Sequence, residues 1–286
     1  MEPNHPIKAL VLTATALMAF AANSVLCRLA LGAQAIDAAS FTTIRLMSGA
    51  VLLWVMSATL PPRTFTLPKW NWPSAGFLFG YAICFSFAYT GLTAGTGALI
   101  LFGAVQTTMI GLALRSGERP HSLEWVGLMA AIGGLVYLVF PGLTAPPLVR
   151  SGLMALAGVA WGVYSLRGRG SKTPLADTTS NFVYGVPLAV LVNALMWSQV
   201  FITPKGVVLA LLSGSLASGV GYVIWYAALK YLTATRAATV QLAVPVLAAA
   251  GGVVVLSEQI SLRLVVAAVL ILGGIGVALL GRKTLN

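Results

Sequence analysis

The few charged residues of this 286-residue chain are spaced so that long apolar runs lie between them. The runs are ~18 to 24 residues long, which is the length that a helix needs to cross a hydrocarbon core of ~30 Å. Only 8% of the residues are charged, whereas a soluble domain carries about a quarter. Such a chain has too few charged residues to form a water-soluble surface, so we expect it to fold within a lipid bilayer.

Lipid offers the backbone no hydrogen bonds, so a spanning chain forms either helices or a closed barrel. Barrel strands would alternate apolar and polar residues over segments of ~10 residues, but residues 123–140 and 262–280 are apolar on every side. The first run contains Lys8 near its start and is too long for a signal peptide, so we expect it to be retained. The sequence therefore predicts an all-α integral membrane protein with ten transmembrane helices. They are predicted near residues 7–31, 37–60, 73–92, 95–114, 122–140, 149–167, 175–200, 205–230, 232–256 and 261–281.

The Lys and Arg residues predict the orientation of these helices. With the N-terminus in the cytoplasm, twelve fall on the cytoplasmic side and four on the other, which is a strong positive-inside bias. We therefore expect a multi-pass protein of the bacterial inner (plasma) membrane with both termini cytoplasmic. The net charge of +11 is spread over short loops and does not form the concentrated basic face of a nucleic-acid-binding protein.

Two segments that lie 140 residues apart resemble each other. Residues 117–122 precede an apolar run that ends in Gly133-Gly134, and residues 257–262 precede one that ends in Gly273-Gly274. Glu118 aligns with Glu258, and weaker matches pair Arg28 with Arg167 and Asp37 with Asp177. The pattern predicts two five-helix repeats, residues 1–144 and 145–286. Because five is odd, the second repeat would be inverted in the membrane, an arrangement that secondary transporters use with the substrate site between the repeats.

These segments, each followed by a Gly-rich fifth or tenth helix, resemble the drug/metabolite transporter superfamily of the EamA type. The resemblance implies ten helices in two repeats and transport of a small solute. Within the superfamily, the aromatic residues are most similar to those of the YddG-type exporters of aromatic and other neutral amino acids. They are Tyr81, Trp161, Tyr164 and the stretch from Gly221-Tyr222 to Trp225-Tyr226. A tryptophan of that type in helix 4 has no counterpart, because Ala104, Val105 and Gln106 occupy the stretch.

Polar and aromatic side chains that recur on helix faces are the candidates for a substrate pathway, since elsewhere in lipid they lose hydration without compensation. In helix 8, residues Ser215, Ser218, Tyr222, Trp225 and Tyr226 recur at helical spacing on one predicted stripe. The candidate pathway residues are Asn23, Tyr81, Phe85, Tyr89, Gln106, Trp161, Tyr164, Tyr222, Trp225, Tyr226 and Gln241. The aromatic residues could instead anchor the helices at the interface or pack the bundle, and the amides could bond helices together.

Carboxylates and imidazoles are missing from the predicted mid-membrane region. The acidic residues fall at predicted helix ends or in loops, and both histidines lie outside the spans, so a conventional proton relay has no groups to use. We therefore predict facilitative transport. Arg45 is the one clear basic residue within a span, and we expect it to snorkel outward rather than to contact substrate.

Other functional classes fit the sequence less well. An intramembrane enzyme would need a nucleophile with a base, metal ligands or paired carboxylates in the spans, and none is found. No cofactor or metal is predicted, and Cys27 and Cys84 are expected to act as small apolar residues. The sequence predicts a transporter that exports aromatic and other neutral amino acids by alternating access, as a monomer or an oligomer of undetermined size. The alternative is another small metabolite or drug, such as a phosphorylated sugar or a cationic drug.

Overall fold

The computed structural model describes residues 6–59, 71–115, 122–140, 145–168, 171–232 and 240–281, which form ten helices. The helices are α1 (Pro6–Leu31), α2 (Ala38–Thr59), α3 (Trp72–Tyr89), α4 (Ala94–Arg115), α5 (Ser122–Val139), α6 (Leu148–Gly168), α7 (Pro174–Leu195), α8 (Pro204–Leu229), α9 (Ala243–Leu256) and α10 (Leu262–Gly281). A 3-10 turn, Trp197–Gln199, follows α7. The prediction of an all-helical fold is confirmed.

Six of these helices, namely α1, α2, α4, α6, α7 and α8, are long and apolar enough to cross a membrane by length and composition. Shorter apolar stretches lie in α5, α9 and α10. Large apolar side chains on the outer surface are widely exposed, among them Val254 at 82% and Leu262 at 77%. A surface of this kind is stable in lipid rather than in water, and the chain is a multi-pass membrane protein.

Capping residues and prolines begin several helices. Asn71 caps α3 by accepting a hydrogen bond from the backbone N–H of Ser74 at 3.3 Å, and a proline stands in the first turn. Thr203 caps α8 in the same way, accepting from Gly206 N–H at 3.1 Å, with Pro204 as the first helical residue. Proline suits these positions because the first N–H groups of a helix have no partner within it.

Helix α8 is α-helical at both ends and π-helical over Ser213–Val220 in its middle. The wider i→i+5 turn changes which side chains share a face. Ser213 and Ser218 are buried against α1 and α2, whereas Ser215 bonds to the carbonyl of Leu211 in its own helix. The predicted stripe that included Ser215 is therefore wrong at that residue, because it assumed α-helical spacing throughout.

The helices pack so that five of them surround one buried centre. Helix α1 packs on α8 and α9, while α6 packs on α3 and α4. Helix α2 packs on α7 and α8, and α7 also packs on α3. Outside this group α5 packs on α10, and α4 packs on α9. Side chains of α1, α2, α3, α6 and α8 thereby meet in the interior.

Contacts between helix termini define two ends of the bundle. At the Arg28 end, Arg150 at the start of α6 donates to the carbonyl of Phe87 near the end of α3 at 2.9 Å. The connections α1–α2 and α7–α8 also meet there, in an isolated antiparallel bridge between Ile36 and Ile202. At the Arg167 end, the last turn of α6 meets the first turn of α3.

Candidate functional site: a closed aromatic cavity

A cluster of buried aromatic rings occupies the interior between α1, α3, α6 and α8. Trp161 is its hub, with ring centroids 5.6 Å from Phe20, 5.1 Å from Tyr81 and 4.6 Å from Tyr222. These distances are within the range of favourable aromatic pairs. None of the four rings lies in a terminal turn of its helix, so the cluster lies deep in the bundle.

Further rings extend the cluster toward both ends of the molecule. Toward the Arg28 end, Phe85 lies 5.2 Å from Tyr81 and 4.7 Å from Tyr89. Toward the Arg167 end, Tyr164 lies 5.7 Å from Trp161 and 6.1 Å from Tyr226. Trp225 packs on Phe20 at 5.6 Å. Aromatic side chains thus form a continuous row along the interior.

A small cavity lies within this cluster. Its lining residues are Phe20, Asn23, Ser24, Tyr81, Phe85, Leu101, Phe102, Trp161 and Tyr222. The cavity volume is about 10 Å³, which is enough for one water molecule. Larger pockets open on either side, one of about 510 Å³ at the Arg28 end and one of about 490 Å³ at the Arg167 end. The central cavity is therefore closed, and a larger surface pocket lies toward each end of the bundle.

Arg45 of α2 lies beside this cavity and is only 1% exposed. Its Nε donates to Ser218 Oγ at 3.1 Å, and its Nη2 donates to the hydroxyl groups of Tyr81 and Tyr222, both at 3.2 Å. The guanidinium carbon also lies 5.3 Å from the ring centre of Tyr81 and 5.2 Å from that of Phe85. The expectation that Arg45 snorkels outward is wrong, because three hydroxyl groups and two aromatic rings hold it inside.

The charge of Arg45 has no carboxylate partner in the described part of the chain. Among the residues that the structure describes, the one ion pair joins Arg28 to Glu258. The Nη1 atom of Arg45 is buried and makes no hydrogen bond to any described residue. An unpaired cation within a spanning segment is costly and marks a functional site.

Asn23 of α1 connects the aromatic cluster to α8. Its Nδ2 donates to the Tyr81 hydroxyl at 3.4 Å, and its Oδ1 accepts from Ser213 Oγ at 2.6 Å and from Cys27 Sγ at 3.8 Å. The indole Nε1 of Trp161 is buried without a partner in the described part of the chain. Hydrogen-bond donors thus outnumber free acceptors around the cavity.

The Arg28 end is closed by a compact polar network. Arg28 Nε donates to Glu258 Oε1 at 2.9 Å, and Glu258 Oε2 accepts from the backbone N–H of Ala94 at 2.8 Å. Ser257 places Glu258 there: its left-handed backbone, with φ 54°, ends α9, and Glu258 N–H bonds back to Gly252 at 3.1 Å. The network joins the end of α1 to the start of α4 and the end of α9.

The Arg167 end uses different partners. Arg167 donates from Nε to Ser74 Oγ at 3.0 Å and from Nη2 to Asn71 Oδ1 at 3.2 Å. Glu118, the predicted counterpart of Glu258, lies outside the described residues. The two ends are therefore held by different contacts.

The structure places the predicted pathway residues at three distances from the cavity. Asn23, Tyr81, Phe85, Trp161 and Tyr222 line it. Tyr89, Tyr164 and Trp225 each contact an aromatic ring of that lining, and Tyr226 contacts Tyr164. Gln106 and Gln241 are buried but do not line it.

Sequence reasoning missed the inward position of Arg45. The available signal was a basic residue in a span together with tyrosine hydroxyl groups that needed partners in the interior. In the described part of the chain, no three His, Cys, Asp or Glu residues come close enough to hold a metal ion.

Comparisons with known proteins agree with this fold. The profile of the EamA-like transporter family matches residues 151–280. The chain is 48% identical over 275 residues to the uncharacterized protein PA1977 of Pseudomonas aeruginosa, covering 96% of each chain. It is 26% identical over 253 residues to the uncharacterized transporter YwfM of Bacillus subtilis, covering 81% of each. A solved crystal structure with 20% identity covers 96% of this chain and 98% of its own, with a TM-score of 0.66. Residues 151–280 are therefore similar to the EamA-like transporter family.

Proposed function

We propose that this protein exports aromatic and other neutral amino acids across the bacterial inner membrane by alternating access. The observation that carries the proposal is the closed cavity, which is lined by aromatic rings of α1, α3, α4, α6 and α8 and lies between two larger pockets. A cavity of about 10 Å³ cannot hold an amino acid. Substrate would therefore enter only when the helices separate at one end, which is the step that alternating access requires.

The helix contacts support two inverted repeats, residues 1–144 and 145–286. If each helix of the first half is replaced by its counterpart in the second half, and the reverse, every contact pair should map onto another contact pair. The pair α1–α8 maps onto α6–α3, α1–α9 onto α6–α4, and α2–α8 onto α7–α3. All six of these pairs are in contact. The pairs α2–α7, α4–α9 and α5–α10 convert into themselves. Repeats of five spans would put both termini on one side, and the charge bias favours the cytoplasm.

The lining of the cavity favours an apolar or aromatic side chain, which rings can bind by stacking and dispersion. A phosphorylated sugar would call for two or more cationic groups, and Arg45 is the one cation beside the cavity among the described residues. A cationic drug would meet the unpaired charge of Arg45. An amino acid with a neutral side chain avoids both difficulties.

Counterflow in proteoliposomes tests the proposal. Vesicles containing the purified protein and unlabelled tryptophan, phenylalanine or methionine should take up the labelled amino acid faster than empty vesicles. Trp161→Ala and Tyr222→Ala should abolish the difference, while Trp197→Ala, at a residue that is 77% exposed, should retain it. If no amino acid exchanges faster than in protein-free vesicles, the proposal is wrong.

A further inference from the structure

We propose that Arg45 binds the carboxylate of the transported substrate, and that the site requires this carboxylate but does not require an ammonium group. The inference rests on the proposed function in one respect: it takes the central cavity as the transport site. It goes further by naming the chemical group that the site recognises. It also predicts that acids without an amino group bind there.

The hydrogen bonds of Arg45 leave one edge of its guanidinium available. A guanidinium has five N–H donors. The Nε–H and the two hydrogens of Nη2 are used by Ser218, Tyr81 and Tyr222, so both hydrogens of Nη1 remain. The three bonds and the two adjacent rings hold the group in one position. A cation held in this way is preorganised to bind an anion.

The buried positive charge of Arg45 explains why an anion would bind there. A buried cation is stabilised when an opposite charge with good hydrogen bonds is brought to it. In the closed structure, hydroxyl groups and ring faces provide only partial compensation. Tyr81, Phe85 and Tyr222 contact Arg45 and also line the cavity. A carboxylate that enters the widened cavity would therefore arrive beside the guanidinium group of Arg45, whose Nη1 is unbonded.

The remaining polar groups favour an acceptor over a donor. The indole N–H of Trp161 has no described partner. The hydroxyl groups of Tyr81 and Tyr222 accept from Arg45 and also hydrogen-bond to each other, which uses one of their two hydrogens and leaves the other for a ligand. The one side-chain amide oxygen of the lining, Asn23 Oδ1, already accepts from Ser213 and Cys27. An ammonium group would find few acceptors here and would lie near a positive charge.

Arg45 could instead serve only to position Tyr81 and Tyr222. A positioning role would make transport depend on Arg45, but it would not make binding depend on the carboxylate of the ligand. Experiments must therefore vary the ligand as well as the protein.

The first experiment uses the wild-type protein and four ligands with the same indole ring. Tryptophan, tryptophan amide, tryptamine and indole-3-propionate are tested as inhibitors of labelled tryptophan counterflow and as stabilisers in thermal unfolding. Indole-3-propionate should compete within several-fold of tryptophan. Tryptamine and the amide should be weaker by about 10- to 100-fold, the contribution of one charge-assisted hydrogen-bonded pair. Equal competition by tryptamine, or none by indole-3-propionate, overturns the inference.

The second experiment assigns the discrimination to Arg45. In Arg45→Gln, the ratio of amide to tryptophan inhibition constants should fall to within about threefold of one, as the carboxylate loses its partner. Arg45→Lys should keep part of the discrimination because it retains the charge. Ser218→Ala, which removes one anchor of Arg45 but not the charge, should keep most of it. An Arg45→Gln protein that folds and still discriminates overturns the inference, and if that variant fails to fold, the Lys variant and the wild-type ligand series decide.

Failure of the proposed function would give a different result. Suppose that no amino acid exchanges, but indole-3-propionate raises the unfolding temperature of the wild type, raises that of Arg45→Lys less and leaves that of Arg45→Gln unchanged. The carboxylate site is then supported and amino acid export is contradicted. If tryptophan exchanges but its amide competes equally well, amino acid export is supported and the carboxylate site is contradicted.

Discussion

Replacing Glu258 with Gln should open the Arg28 end of the molecule. Glu258 accepts hydrogen bonds from Arg28 and from the backbone of Ala94, and the amide can keep one of them but not the ion pair. The side chains of Arg28 and Glu258 are 25% and 12% exposed, so solvent screens the pair only in part. A hydrogen bond between charged groups contributes about 1.5 to 3 kcal/mol. With some discount for exposure, a loss of about 1 to 2 kcal/mol shifts the balance between closed and open forms by about 5- to 30-fold.

The rate of cysteine modification can measure this shift. Leu92 is 1% exposed and lies between Tyr89 and Ala94, so a cysteine placed there reacts with a charged maleimide only when this end opens. The native Cys27 and Cys84 are first replaced by alanine to give a single-cysteine protein. Adding Glu258→Gln should raise the modification rate of Leu92→Cys by about 5- to 30-fold, in proportion to the open population.

Asp177→Asn provides the matched control. It makes the same carboxylate-to-amide change at the Arg167 end, where Asp177 accepts from Ser171 and Thr173. The modification rate at residue 92 should not change in that variant. A Glu258→Gln protein that is monodisperse and reacts within twofold of its parent would show that the ion pair does not hold this end closed.

Other predictions concern packing, coupling and orientation. Gly214→Ala should destabilise the protein by about 1 to 3 kcal/mol, because its new methyl group would overlap the carbonyl oxygen of Arg45. Gly273→Ala, where a Cβ meets nothing within 4 Å, should not, and thermal unfolding in detergent compares the two. An imposed proton gradient without a substrate gradient should drive no amino acid uptake into proteoliposomes. The reason is that Asp37, Asp177 and Glu258 lie at helix ends, so that no described carboxylate lies in the interior. Uptake that follows the proton gradient would contradict this prediction. A fluorescent protein fused after residue 286 should fluoresce and a phosphatase fused there should stay inactive, and the reverse would contradict a cytoplasmic C-terminus.

Sequence reasoning succeeded for features that depend on interactions within a single segment of the chain. Lipid compels the backbone to pair within each segment, so long apolar runs predict helices without any knowledge of the fold. Helix starts can also be recognised from a capping residue followed by proline, as Thr203-Pro204 at the start of α8 shows. The aromatic residues at helical spacing, such as Tyr81 and Phe85, were expected to share a face, and their rings lie 5.2 Å apart.

The failures have a common physical cause. In a membrane both the interior and the outer surface of the bundle are apolar, so the sequence does not show which face of α2 turns inward. Arg45 was expected to reach out to water, but its partners Tyr81 and Tyr222 come from positions 36 and 177 residues further along the chain. The π-helical turns of α8 were not predicted either; they lie where Gly214 approaches the carbonyl oxygen of Arg45 on α2, and Ser215 bonds within its own helix.

The sequence by itself thus determined that the chain folds in a membrane, that it is helical, and which aromatic residues are suited to an interior pathway. Those properties follow from composition and from spacing along a single helix. Only the tertiary structure decided that five of the predicted residues close around a small cavity, that Gln106 and Gln241 do not line it, and that Arg45 lies beside it with one edge unbonded. These facts depend on contacts between helices distant in sequence, and no local pattern encodes them.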